Sequence, residues 1–393
     1  MGKDELSHTL LNAETAEAPL NVRTAIVSLL DAATRPVLVP LYLLAARLSV
    51  PVVRWRRSRP QTEPAADNGG DADLFPSHEP TPPEDAGDWP AVSVVIPVLN
   101  GETVLPRCLE SLRALDYPRD RLEIIVADNG STDRTVEVAR RFGVAVIVQP
   151  KRGAAAARNA AIAAAHSDWI ATTDADCVVH PLWLKHLVAV GRREKCAAVG
   201  GRVIACCRDA VVRDFCAREG VLDQQAAVAG RLLPFPFVIT ANGLFRRDAL
   251  AAVGGFDEDF AAAAAEDVDL GWRLGERGLT LAYAPDAWVS HRQRERAVDI
   301  HAQFYRYGLS EVRLYLKHRH RFDERERSKH LWIRPLLYRH FWAATWHWAT
   351  ARRFASRRFW RLVVFKELGH MAGKMEGARR WRTWRYFRLW THE

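Results

Sequence analysis

The chain has 393 residues, of which 48% are hydrophobic, 26% charged and 9% aromatic. That length allows two or three domains, or one large catalytic domain with appendages, and excludes a disulfide mini-protein; the composition excludes collagen-like and wholly disordered sequence. The formal charge of +9 is unevenly spread: residues 311–393 hold 21 Lys/Arg against 7 Asp/Glu, a net +14, whereas residues 1–310 hold 35 against 40. Eight of the 14 tryptophans also fall in that tail, so its expected partner is both anionic and amphipathic.

Cys108, Cys177, Cys196, Cys206, Cys207 and Cys216 form no CxxC pair and no zinc-ligand spacing, which points to a reduced compartment. The first residues, MGKDELSHTL, lack the charged-then-apolar layout of a secretory signal, and cytosolic chemistry is expected. Residues 20–53 are apolar at helical spacing (Val22, Ile26, Leu29, Leu30, Ala33, Val37, Leu41, Leu44, Leu48). Pro36, Pro40, Pro51 and Arg47 interrupt the stretch from 36 to 53 and disfavour a clean span, while Arg54, Arg56, Arg57 and Arg59 follow it. This predicts an in-plane helix on a membrane surface within residues 1–59. Docking on the protein's own body and a true span stay open.

Residues 60–90 are rich in Pro, Gly and acids and read as a flexible linker. The folded domain is expected to begin at residue 91. Ala91 to Leu99 is an apolar, β-branched run of the kind buried on both faces of a sheet. A helical pattern through Leu105, Leu109 and Leu112 follows, then a strand from Leu122 to Ala127 ending at Asp128, a helix from Thr135 to Arg141 and a strand from Val144 to Val148. An Ala-rich helix from 154 to 165 and a strand from Trp169 to Thr173 ending at Asp174 complete the run. Strict alternation of strand and helix predicts an open α/β fold with a mainly parallel central sheet. Ligands of such sheets bind at the carboxyl ends of the strands, and those ends carry Asn100 with Glu102, Asp128 with Asn129, and Asp174 with Asp176.

Asp174-Ala175-Asp176 offers two hard-oxygen carboxylates able to hold Mg²⁺ or Mn²⁺ on a diphosphate, although the tripeptide alone is equally a solvated turn. Glu266-Asp267 opens a helix about 90 residues later, after the small residues Ala261 to Ala265. Acids there can simply cap the helix; alternatively Asp267 takes a proton from an attacking hydroxyl while a metal at Asp176 stabilises the departing diphosphate.

The ordered segments VSVVIPVLNGE, VADNGSTDRT, KRGAAAARNAAI, TTDADC and AEDVDLGWRL together resemble glycosyltransferase family 2, the inverting nucleotide-sugar enzymes of the GT-A fold, over residues 91–310. The resemblance implies that Pro97, Asn100, Glu102 and Asp128 surround the nucleotide base, that Arg158 lies near base and phosphates, and that Asp174 faces the ribose. It implies Asp176 as metal ligand, His291 as a second group on metal or phosphate, Asp267 as general base and Glu266 orienting the acceptor. An ordinary strand-end histidine is the other reading of His291. Gln303-Phe304-Tyr305-Arg306-Tyr307 resembles the Gln-x-x-Arg-Trp motif of membrane-bound synthases, with Tyr for Trp; it implies Gln303 at the acceptor and Arg306 on the leaving diphosphate. Asn129 stands where the family commonly has a second Asp. Ala241-Asn242-Gly243 resembles the acceptor side, with Asn242 and Gly243 presenting backbone beside the sugar, and is equally a turn signal.

Residues 311–393 read as several short helices in which Arg and Trp interleave, with no charge-free stretch of spanning length. They are expected to lie on a membrane rather than cross it, ahead of self-packing, a protein partner or single-stranded nucleic acid. The expected protein is thus a peripheral glycosyltransferase of the cytosolic membrane face, using a divalent cation, a nucleotide-diphosphate sugar and a hydroxyl acceptor that is lipid-linked or of the cell envelope. An inactive, membrane-recruited scaffold is the alternative.

Overall fold

The computed structural model describes residues 41, 44–48, 74–76, 79–83, 87–260, 264–322 and 335–383. Most of the expected N-terminal helix, residues 261–263 and the end of the tail from 384 onward lie outside the described residues. One eight-stranded mixed sheet runs in the order β3-β2-β1-β4-β7-β6-β8-β5. Strands β1 (Val92–Val98), β2 (Leu122–Asp128), β3 (Ala145–Val148) and β4 (Trp169–Thr173) are parallel. Beyond them, β7 (Asn242–Arg246) runs antiparallel to β4 and to β6 (Ala198–Cys206); β8 (Leu281–Arg292) is parallel to β6 and antiparallel to the short β5 (Cys177–Val179).

The helices are α1 (Leu105–Arg113), α2 (Thr135–Arg141), α3 (Ala154–Ala164), α4 (Trp183–Glu194), α5 (Ala210–Arg218), α6 (Gln224–Val228), α7 (Arg247–Ala252), α8 (Glu266–Glu276), α9 (Ala297–His318), α10 (Pro335–Thr350) and α11 (Phe354–Arg380). Alternation in β1 explains why they cover both faces. Val92, Val94 and Ile96 join Leu105, Leu109 and Leu112 of α1 and Trp183 of α4 in one core, while Val95 points the other way to Ala155, Ala157 and Ala161 of α3. Each of those buried leucines contributes about 1.5–3 kcal/mol of transfer free energy. Pro97 fits inside β1 because β1 pairs with β4 only as far as Val95↔Thr172, so its missing N–H falls where that neighbour has ended.

Three features differ from the sequence reading. Residues 74–83 do not behave as a free linker where they are described. Leu74 and Pro80 are buried, Phe75 stacks on Trp288 (centroids 6.4 Å apart, planes 28°), and Glu79 meets His180 Nε2 at 2.9 Å. Composition hides this because a single apolar pair, Leu74-Phe75, is enough to dock an otherwise polar segment.

The boundary at residue 310 falls inside α9, which runs unbroken from Ala297 to His318. The tail, in turn, contains one helix of 27 residues, α11, rather than several short ones. Gly369 and Gly373 bring α11 against α9 backbone to backbone, a Cβ on Gly373 running into the Tyr305 carbonyl and one on Gly369 into that of His301, while Gly377 one turn on lies against the Val312 side chain. An ion pair extends the seam, with Lys374 reaching Glu311 at 2.9 Å, and Lys366 ties α11 to the end of α5 through Glu219 at 2.6 Å. One face of the tail is therefore core. Among the described residues no helix is long and apolar enough to cross a membrane.

Candidate active site

The site forms where β1, β2, β4 and β8 end and α8 begins. Its centre is Arg158 on α3, only 3% exposed. One guanidinium nitrogen donates to Glu266 Oε1 at 2.7 Å and the other to Asp174 Oδ1 at 2.9 Å. Two planar N–H groups diverging from one carbon let a single residue tie β4 to the start of α8. The Ala-rich surface of α3 lets its helix lie close enough to the sheet for Arg158 to reach both.

Asp174 and Asp176 lie on the turn between β4 and β5, and His291 near the end of β8 is in register with Cys177. The His291 Nε2 stands 3.6 Å from Asp176 Oδ1 and 3.9 Å from Asp174 Oδ2. Asp176, His291 and the Cys177 thiol present donor atoms within 4.8 Å of one another. Burial, reinforced by Asp176 and Asp174, holds the Cys177 thiol well above its ordinary range, and sulfur is a softer donor than Mn²⁺ or Mg²⁺ prefers. A carboxylate and an imidazole remain, a donor set that fits Mn²⁺ or Mg²⁺ with a diphosphate and water completing the shell. A second cluster, Glu219, His340 and Glu367, differs: Lys366 Nζ lies 2.6 Å from Glu219 and 3.1 Å from Glu367, so an ammonium already neutralises it.

Asp267 follows Glu266 in the first turn of α8, entered through Ala265 at φ 69°. Its Oδ1 accepts from Val268 N at 2.9 Å and its Oδ2 lies 3.5 Å from Thr240 N. Burial, with the Glu266 charge beside it, pushes the Asp267 carboxyl up to about 7, while Arg158 opposes the rise. A carboxylate so placed accepts a proton near neutral pH and returns it readily. Glu266, expected to orient the acceptor, is 5% exposed and turned inward to Arg158, where it forms one side of the clamp.

The expected nucleotide-side residues lace two loops together. Asn100, at φ 53°, accepts from Thr132 N at 2.8 Å and donates its own N–H to Ser131 Oγ at 2.8 Å. Glu102 accepts from Arg134 Nε at 2.7 Å, and Asp128 accepts from Gly130 N at 3.1 Å and Ser131 N at 3.2 Å. Asn129 explains its own departure from the family pattern. Its amide donates to the Gln149 and Lys151 carbonyls at 3.1 and 2.7 Å and accepts from Gly153 N at 2.7 Å, and an ionised Asp has no proton for the first two.

Asn242 and Gly243 were expected on the acceptor side. They open β7 rather than form a surface turn, and Asn242 is fully buried. Its amide donates to Arg202 O (2.9 Å) and Ala287 O (2.8 Å) and accepts from Trp183 Nε1 (2.8 Å), tying β6, β8 and α4 together. The Asn-Gly pair looked like a turn because local sequence cannot register three distant partners. Gln303 on α9 donates to the Tyr307 hydroxyl at 2.8 Å. Burial holds that hydroxyl above its ordinary value, while the Gln303 bond and the charges of Arg294 and Arg306 oppose the rise.

Two residues escaped the sequence reading. Asn159, next to Arg158, bonds Phe256 O and N at 2.8 and 2.9 Å and so fixes the loop leading toward α8. The Gln293 amide nitrogen donates to His291 Nδ1 at 3.1 Å and so fixes the ring. Only the spacing of two residues from His291 could have signalled it.

The Glycosyl transferase family 2 model matches residues 93–254. A pre-mycofactocin glycosyltransferase of Mycobacterium tuberculosis is 34% identical over 234 residues, 58% of this chain and 48% of that protein. Glycosyltransferase AglE of Haloferax volcanii is 28% identical over 241 residues, 58% of this chain and 75% of the relative. The chain thus spans about half the length of the Mycobacterium relative. Among solved structures, the mannosyltransferase PcManGT from Pyrobaculum calidifontis, in complex with GDP-Man and Mn²⁺, superposes with a TM-score of 0.55 at 20% identity, covering 88% of this chain and 98% of that one. Residues 93–254 are thus similar to the family 2 glycosyltransferases, and the fold is that of the GT-A structures.

Proposed function

We propose that the chain is an inverting glycosyltransferase that moves a sugar from a nucleotide-diphosphate donor to a hydroxyl acceptor. The observation that carries this is the Arg158 clamp, which joins Asp174, beside Asp176 and His291, to Glu266, beside Asp267. A proton acceptor and a diphosphate-binding group thereby occupy two ends of one rigid unit. A divalent cation held by Asp176 and His291 would supply positive charge to the leaving diphosphate. Asp267 takes the acceptor hydroxyl proton as that oxygen bonds to the anomeric carbon and the bond from that carbon to the diphosphate oxygen breaks, inverting the configuration. Arg294 and Arg306, whose charges act on the Tyr307 hydroxyl of α9, add cationic charge for the departing group.

The same reading places the protein peripherally on the cytosolic membrane face with a lipid-linked or cell-envelope acceptor, supported by the arginine and tryptophan content of the tail. The test is a thermal-shift series with GDP and UDP, with and without Mn²⁺, followed by transfer assays with the matching sugars. A rise in melting temperature that needs both nucleotide and Mn²⁺, with sugar release or transfer, is expected. Binding without any turnover would leave only a non-catalytic scaffold.

A further inference from the structure

We propose that the tip joining α10 and α11 is a docking surface for an anionic lipid bilayer and lies on the catalytic edge of the sheet. The proposal gives the membrane part of the reading above a defined surface and rests on it; the transfer chemistry stands apart. Phe354 and Trp346 are 81% and 68% exposed and, with Leu48 at 69%, are the three most exposed of the described large apolar side chains. Arg352, Arg353, Arg357 and Arg361 surround them and are also exposed. From Pro335 to Lys366 the chain has no Asp or Glu, so no acid there offsets that charge. Nearby, Leu44 and Leu48 are 52% and 69% exposed on a helical segment whose Ala46 is buried in the same core cluster as Phe341 and Ala344 of α10.

An aromatic tip ringed by arginines matches the interface of an anionic bilayer, where rings enter the headgroup layer and guanidinium groups meet lipid phosphates. The opposite face of α11 is spoken for: Phe359 packs edge-on to Phe215 of α5, and Arg358 pairs with Asp209 just before that helix. This contact also locates the tip. Asp209 follows Cys206, the last residue of β6, which lies in register with Arg292 beside His291. The tip therefore borders the edge where the diphosphate and acceptor groups gather, and docking it would bring that edge to the lipid surface.

The test is co-sedimentation of the full chain with phosphatidylcholine vesicles and with vesicles that also contain phosphatidylglycerol. The variants are Trp346→Ser/Phe354→Ser and Arg352→Gln/Arg353→Gln/Arg357→Gln/Arg361→Gln, each checked by circular dichroism and melting. Binding is expected only with phosphatidylglycerol, each lost arginine weakening it about fivefold and the aromatic pair about tenfold or more. Folded variants that bind as well as wild type would overturn the docking surface while leaving membrane association in place. Absence of vesicle binding, or preference for single-stranded DNA, would overturn both.

Discussion

Replacing Arg158 with Met removes both prongs of the clamp while keeping most of the side chain's volume. The Glu266 side is shielded, with side chains 4% and 7% exposed, so its carboxylate would be left charged and unpaired in the interior. Breaking such a pair from one side costs about 3–5 kcal/mol. The Asp174 side, 28% exposed, can recruit water and adds only about 0–1 kcal/mol. Urea unfolding followed by far-UV circular dichroism should therefore show Arg158→Met less stable by about 3–5 kcal/mol, with Arg158→Lys intermediate because an ammonium cannot make both planar contacts. Since Arg158 restrains the rise of the Asp267 carboxyl, residual transfer by the Met variant should need a higher pH than wild type. A loss below about 1 kcal/mol, the value of a surface pair, would refute this account of the clamp.

Wild-type transfer should decline as pH is lowered through about 7, because Asp267 works as a base only when ionised and its raised value puts protonation there; a flat kcat/KM profile across that value would count against the assignment. Gln293→Ala frees the His291 ring and should alter the Mn²⁺ dependence of transfer with little change in melting temperature, and unchanged Mn²⁺ dependence would remove its orienting role. Asn242→Ala leaves two carbonyls and an indole N–H without their partner, so a loss of about 2–4 kcal/mol is expected in the same unfolding assay, without a specific rise in acceptor KM. Gly373→Ala sets a methyl group against the Tyr305 carbonyl and should cost about 1–3 kcal/mol; a neutral result would mean that α9 and α11 are not held backbone to backbone.

The carboxylates were legible because acids at the ends of buried apolar strands are set by local pattern alone, as with Asp128 and Asp174. What each acid touches was not. Glu266 turns inward and Asn242 knits three elements because their partners, Arg158, Trp183, Arg202 and Ala287, lie tens of residues or more away and no periodicity records them. The tail shows the same limit on a larger scale. Its glycines at 369, 373 and 377 fall four residues apart on one helix face, yet only the juxtaposition with Tyr305 and His301 shows that this stripe is a seam. Its surplus of arginines drew attention to the surface, while the buried pairs Lys374–Glu311 and Lys366–Glu219 keep part of that charge inside. The segment around Phe75 docks through a few contacts that composition averages away.

The role of Asp267 opposite the diphosphate site is measured most directly by single-turnover transfer with Asp267→Asn, alongside titration of the Mn²⁺–nucleotide complex. The account predicts a rate about 10²–10⁴-fold below wild type, with nucleotide affinity nearly unchanged because the amide keeps the size of the side chain and Asp267 is not among the donors grouped at Asp176 and His291. Turnover close to wild type, or nucleotide binding lost in step with the rate, would contradict it.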